Sequence, residues 1–184
     1  MPEPPAEVIG AEVEAERLYS RVLERLGLGN VQCPPCARAL LPEPFNWESY
    51  TFTATGGQSW TWDIRCARAL ASRGPAARRL TLSPDEVHTW LQSHGHVDEQ
   101  HLGHIPLDRL SEPVLLAPVP DGRGHVMIDG SHRATIRVRA GMPVDGYLLS
   151  DIENALAIGT VPLATQRVAD ELRRLQLLRD DIER

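Results

Sequence analysis

The fold turns on residues 125 to 144, His125-Val126-Met127-Ile128-Asp129-Gly130-Ser131-His132-Arg133-Ala134-Thr135-Ile136-Arg137-Val138-Arg139-Ala140-Gly141-Met142-Pro143-Val144. Residues 125 to 128 read as a strand that Asp129-Gly130 ends. Beyond it Ala134, Ile136, Val138 and Ala140 alternate with Arg133, Thr135, Arg137 and Arg139, which by period alone is another strand. Three features argue for a helix instead. The segment follows an Asp-Gly turn, it stops at Gly141 as a helix does, and it leads to a strand at about 144 to 149 that a crossover helix can feed. A helix is therefore expected, and it turns a connection into a site. A strand running through Asp129-Gly130 into a helix N-terminus brings backbone N–H groups and the positive end of the helix dipole to one point, where an anion is favoured. Gly130 allows close approach to a phosphate, Ser131 offers a hydroxyl, and His132 and Arg133 add donors at the same end.

The flanking sequence supplies the rest of a small domain. Residues 113 to 119 are an apolar run suited to a buried strand, and Pro120-Asp121-Gly122 turns it back onto 125 to 128 as a hairpin. Upstream, residues 79 to 82 are a candidate strand. Ser83-Pro84-Asp85-Glu86 then opens a helix, with Ser83 as cap, Pro84 at the first helical position and Glu86 completing a capping box. Val87, Trp90 and Leu91 give that helix its buried face, and it closes before Gly95. Ser150 and Glu153 form a second capping box, for a helix through Ile158. A last helix, about 163 to 182, carries Val168, Leu172, Leu175, Leu178 and Ile182 on one stripe and packs on the domain or on a partner helix.

The N-terminal part is less regular. After a Pro-rich tail, Ala11, Ala15, Leu18, Val22 and Leu26 define an amphipathic helix ending at Gly27, with Glu12, Glu14, Glu16 and Glu24 on its solvated face. Cys33-Pro34-Pro35-Cys36 and an aromatic stretch from 45 to 62 follow. There Trp60 and Trp62 alternate after Gly56-Gly57 as a short strand, and a helix at about 64 to 71 comes next. A connector at 72 to 75 marks a boundary near 75. The expected organisation is an N-terminal helix with a Cys/Trp-rich module (1–76), a mixed α/β domain of the α+β class (77–158) and a C-terminal amphipathic helix (159–184).

Composition removes several functions. The chain has 184 residues, 42% of them apolar and 24% charged, the balance of an ordinary globular protein. All 19 basic residues are arginine. A Walker P-loop, a protein-kinase strand lysine and a Schiff-base lysine are therefore excluded, and any anion site must use arginine forks or backbone amides. A net charge of −6 and a pI near 5.6 argue against general nucleic-acid binding. With no basic-then-apolar leader and no apolar run of about 18 residues, the chain reads as cytoplasmic, without membrane contact.

The stretch from His125 to Ala134, with Pro113-Val114-Leu115-Leu116 before it and Gly141-Met142-Pro143-Val144 after it, resembles the core of the ParB/sulfiredoxin superfamily. The shared pattern is an apolar strand, a second strand, Asp-Gly-x-His-Arg opening a helix, and Gly-x-Pro-Val returning to a strand. Members bind ATP, ADP or CTP with this turn, and include chromosome-partitioning switches, sulfinic-acid reductases and a free-serine kinase. The resemblance implies that Gly130, Ser131, His132 and Arg133 contact phosphates and that Asp129 supports the turn or serves as a metal-side carboxylate for Mg2+. Sulfiredoxins carry cysteine where this chain has Ser131, so sulfinic-acid reduction by that attack is not expected. Partitioning proteins add a helix-turn-helix downstream, whereas one helix follows here, so DNA is not the expected partner. What the resemblance leaves is nucleotide-dependent phosphoryl transfer or hydrolysis on a small metabolite, or nucleotide sensing without chemistry, with the terminal helices as a surface for homodimer formation. A phosphotransferase needs a carboxylate base, and the candidates are Asp85, Glu86, Asp98 and Glu99, with Asp129 the candidate metal-side carboxylate.

Two further clusters stand out. His88, His94, His96, His101 and His104 fall within 17 residues, at spacings that fit no standard zinc template. Cys33 and Cys36 have the spacing used for zinc and for thiol redox chemistry. Cys66 is a candidate third ligand for Zn2+, and simple buried thiols are the alternative.

Overall fold

The computed structural model describes Glu24, Cys33, Cys36 and residues 39 to 94 and 97 to 182, with only the backbone for 92 to 94 and 176 to 182. The expected helix at 11 to 26 lies outside the described residues except for Glu24, which is helical. The protein has an α+β fold, in two compact units: residues 48 to 161, and residues 1 to 47 with 162 to 184.

The larger unit is built on a sheet of four strands, β3 (Arg79–Leu82), β4 (Val114–Pro118), β5 (His125–Asp129) and β6 (Val144–Leu148), in the order β3-β6-β4-β5. β4 and β5 form the antiparallel hairpin expected around Pro120-Asp121-Gly122, and β3 pairs antiparallel with β6. β4 and β6 are parallel. A parallel pair needs a long crossover, and helix α4 (Ser131–Arg139) supplies it. Two further strands, β1 (Ser49–Thr53) and β2 (Ser59–Asp63), make a separate antiparallel hairpin. The remaining helices of the unit are α1 (Ile64–Arg73), α2 (Pro84–His94), the short α3 (Glu99–Leu102) and α5 (Asp151–Gly159).

The sheet is covered on both faces, and the alternation along its strands decides what meets what. Leu115 and Ala117 of β4, Val126 and Ile128 of β5 and Tyr147 of β6 join Trp62, Ile64, Ala67, Ala71 and Ala157. That core is roofed by the β1–β2 hairpin, α1 and α5. Val114 and Leu116, Met127 and Val144 point the other way, into a core with Val87, Trp90 and Leu91 of α2 and Ala134 and Val138 of α4. The boundary expected near 75 is therefore corrected: residues 48 to 76 belong to the same unit as 77 to 161, because Trp62 and Ile64, each at most 1% exposed, fill a core with strand residues from beyond it.

The helix ends follow the side chains. Glu86 Oε2 accepts from the Ser83 amide at 2.8 Å, and Ser83 Oγ accepts from the Glu86 amide at 3.3 Å, the reciprocal bonds of a capping box. Ser150 and Glu153 repeat this at α5. Asp63 caps α1 by accepting from the Cys66 amide. In the other unit, α6 (Val161–Ile182) buries Leu172 while Leu163 remains exposed. Among the described residues no helix is long and apolar enough to cross a membrane.

Candidate functional site

The turn between β5 and α4 is built as its sequence requires. Gly130 is the residue before the helix, with φ +93, in the left-handed region that side chains rarely adopt. A Cβ there would lie 2.8 Å from Val114 Cγ1. Glycine is thus needed both for the backbone angle and for space. From Gly130 the chain enters α4, whose first intrahelical bond runs from the Ala134 amide to the Gly130 carbonyl at 2.9 Å. The first-turn amides, at 131 to 133, are those that a helix presents at its N-terminus.

Asp129 turns inward. Its side chain is 8% exposed and takes the Arg68 fork on both oxygens, Nε to Oδ2 at 2.8 Å and NH2 to Oδ1 at 2.9 Å. Arg133 NH2 adds a longer bond at 3.4 Å. Burial alone would push this carboxyl up, but Arg68 and Arg133 hold it below its ordinary value. Arg68 responds in kind: burial opposes its charge, and Asp129 with Glu48 raises its pKa nevertheless. Arg68 NH1 also meets Glu48 at 2.9 Å. Arg133, 7% exposed, donates to the Pro113 carbonyl at 3.3 Å and approaches Glu112 at 3.7 Å, and Glu112 is itself held by Arg109. A chain of alternating charge, Glu48–Arg68–Asp129–Arg133–Glu112–Arg109, thus runs beneath the turn.

A cleft of about 430 Å3 opens beside it, within the size range of small-molecule sites. Gly130, Ser131 and His132 form one end. Glu48, Tyr50 and Thr51 of the hairpin side and Trp90 and Leu91 of α2 line the rest, over a floor of Ile64, Met127 and Ile128. The structure therefore gathers Asp129, Gly130, Ser131 and His132 at one cleft. Arg133 is directed into the ion-pair chain instead and does not line it.

The other sequence candidates fall elsewhere. His132 Nε2 accepts from the Asp98 amide at 3.0 Å, and His101 meets the His132 ring edge-on at 4.7 Å. Asp98 caps α3 through the Gln100 amide, and Glu99 pairs with both terminal nitrogens of Arg139. Glu86 is occupied by Ser83, which lowers its pKa through the backbone bond first and the hydroxyl second. None of Asp85, Glu86, Asp98 and Glu99 lines the cleft. Cys33 is buried, and its Sγ lies 3.0 Å from that of Cys36. Burial first, and Cys33 beside it, pushes the Cys36 thiol up to about 11. Cys66 lies on α1 of the larger unit, half-buried.

Sequence reasoning missed Glu48, Tyr50 and Arg68. Arg68 and Asp129 are 61 residues apart, so no local spacing announces the pair. Glu48 is reached only because the β1–β2 hairpin returns the chain to the sheet. Compared with models of known families, with curated proteins and with solved structures, the chain matches none.

Proposed function

We propose that this protein binds ATP or a related nucleotide, ADP or CTP, through its phosphates at Gly130, Ser131 and His132, as a ParB/sulfiredoxin-like protein. One observation carries the reading: the cleft ends on a left-handed glycine and the N-terminus of a nine-residue helix, the arrangement in which amides and the helix dipole meet an anion. Tyr50 and Trp90 give the same cleft aromatic surface for the remainder of the ligand. Magnesium accompanies the triphosphate in this reading and offsets its charge.

Phosphoryl transfer or hydrolysis on a small metabolite is the chemistry the resemblance implies. It needs a carboxylate near the phosphate, and Glu48, which lines the cleft and is 46% exposed in its side chain, is the residue to supply it. A second reading, nucleotide sensing without turnover, has support of its own: Glu48 itself is paired with Arg68, and Glu86, Asp98, Glu99 and Asp129 are each engaged by a cap or an arginine. In that reading the close Cys33–Cys36 pair adds a structural zinc. Zinc content of the purified protein, measured before and after Cys33→Ser, tests this addition.

The main reading is tested by thermal shift with ATP, ADP, CTP, GTP and pyrophosphate, each with and without magnesium. One nucleotide raises Tm in the wild type and fails to do so in His132→Ala. Equal shifts in both proteins, or none in the wild type, overturn the site. Phosphate release or transfer, measured with the nucleotide that binds, separates the enzyme from the sensor.

A further inference from the structure

The cleft presents a difficulty for an anionic ligand, and the way the structure resolves it singles out one residue. Two carboxylates, Glu48 and Asp129, line the cleft, and no arginine does. Left bare, they would repel a phosphate. Both are held by the same guanidinium: Arg68 spans them, NH1 to Glu48 at 2.9 Å and Nε with NH2 to Asp129 at 2.8 and 2.9 Å. Arg68 stands on α1 and does not itself line the cleft. Its fork fixes Asp129, which is adjacent to Gly130 and so sets where the turn begins.

We propose that Arg68 is the positioning residue of the ligand cleft, fixing the β5–α4 turn through Asp129 and, with Arg133 on Asp129, offsetting the charge of Glu48 and Asp129 so that an anion is admitted. The inference rests on the phosphate reading above and adds two things to it. Residues 48 to 73 become part of the ligand site rather than an appendage to the sheet, and the cleft's selectivity for anions is assigned to a residue that does not touch the ligand. Lysine would keep the charge but lose the planar fork that meets two carboxylates at once. Glutamine would lose the charge. Arg133 still holds Asp129 in either variant, so the turn keeps one partner.

The test is calorimetric titration of pyrophosphate into the full chain, as wild type, Arg68→Lys, Arg68→Gln, Glu48→Gln and the Arg68→Gln/Glu48→Gln double variant, with near-UV circular dichroism as the control for folding. Arg68→Gln should bind about tenfold more weakly or worse, the effect of an uncompensated unit charge about 10 Å away at an effective dielectric of about 20. Arg68→Lys falls between it and the wild type. Glu48→Gln binds as tightly as the wild type or more so, and the double variant recovers affinity relative to Arg68→Gln. That recovery separates charge neutralisation from a merely structural part, since removing a second side chain does not repair a damaged fold. Undiminished binding by folded Arg68→Gln, or a double variant as weak as the single, overturns the inference while leaving the phosphate site standing. Absence of binding by the wild type overturns both.

Discussion

At Asp129 a buried carboxylate takes the Nε–NH2 edge of one guanidinium and the tip of another. An acid so placed ties stability to pH. Its native pKa is held below the ordinary 3.8 by Arg68 and Arg133 against the opposing effect of burial. The group therefore stabilises the fold in full above 3.8, and that contribution is lost as pH falls from there toward the depressed native value. Urea midpoints of wild type and Asp129→Asn should differ by a constant amount from pH 7 to about 5 and converge in acid. A difference that persists unchanged down to pH 2 would mean that the ion pairs contribute nothing net. What was legible at this scale was local. Ser83 with Glu86 and Ser150 with Glu153 are three residues apart, so the capping boxes could be read directly. Gly130 was legible because an Asp-Gly turn between a strand and a helix start is a local pattern. Arg68 was not, because its partner lies across the fold.

At the scale of elements, residues 131 to 139 alternate like a strand and fold as α4. The helix wins because Ala134 and Val138, four apart, both pack on the sheet face formed by Val114, Leu116 and Met127, and because β6 must arrive parallel to β4. The arginines between them are the reason the period misleads: Arg133 is buried by its acid partners rather than by apolar packing, so charge does not mark the solvent side. A second tie between elements is Asn154 of α5. Its Oδ1 accepts from Trp62 Nε1 at 2.6 Å, and its Nδ2 donates to the Pro118 carbonyl at 2.9 Å, joining β2, α5 and β4 inside the core. Asn154→Ala leaves Trp62 Nε1 buried and unpaired, and the half-buried Pro118 carbonyl without this donor, and should cost about 1–3 kcal/mol for each group that water cannot reach. Urea unfolding measures it, and a change below about 0.5 kcal/mol, the level of a neutral surface substitution, would show that the tie is dispensable.

For the whole molecule, the connector at 72 to 75 suggested a division that the packing does not follow. Composition marks where a chain is irregular, but not which core it enters. The β1–β2 hairpin and α1 cover one face of the sheet, with Trp62, Ala67 and Ala71 against Leu115, Val119 and Val126. A fragment of residues 48 to 161 should therefore unfold cooperatively in urea with native near-UV dichroism. One of 77 to 158, stripped of that cover, should lose the near-UV signal and bind a hydrophobic dye. Equal behaviour of the two would place the boundary back near 75. The central claim, that the cleft closed by Gly130, Ser131 and His132 is where an anionic ligand is held, is most directly tested by titrating the 15N-labelled protein with ATP and magnesium and following each amide. Saturable shifts are expected, concentrated at residues 130 to 132, with smaller ones at 48 to 51 and at Trp90 and Leu91. A spectrum unchanged by nucleotide, or shifts confined to surfaces away from this cleft, would contradict it.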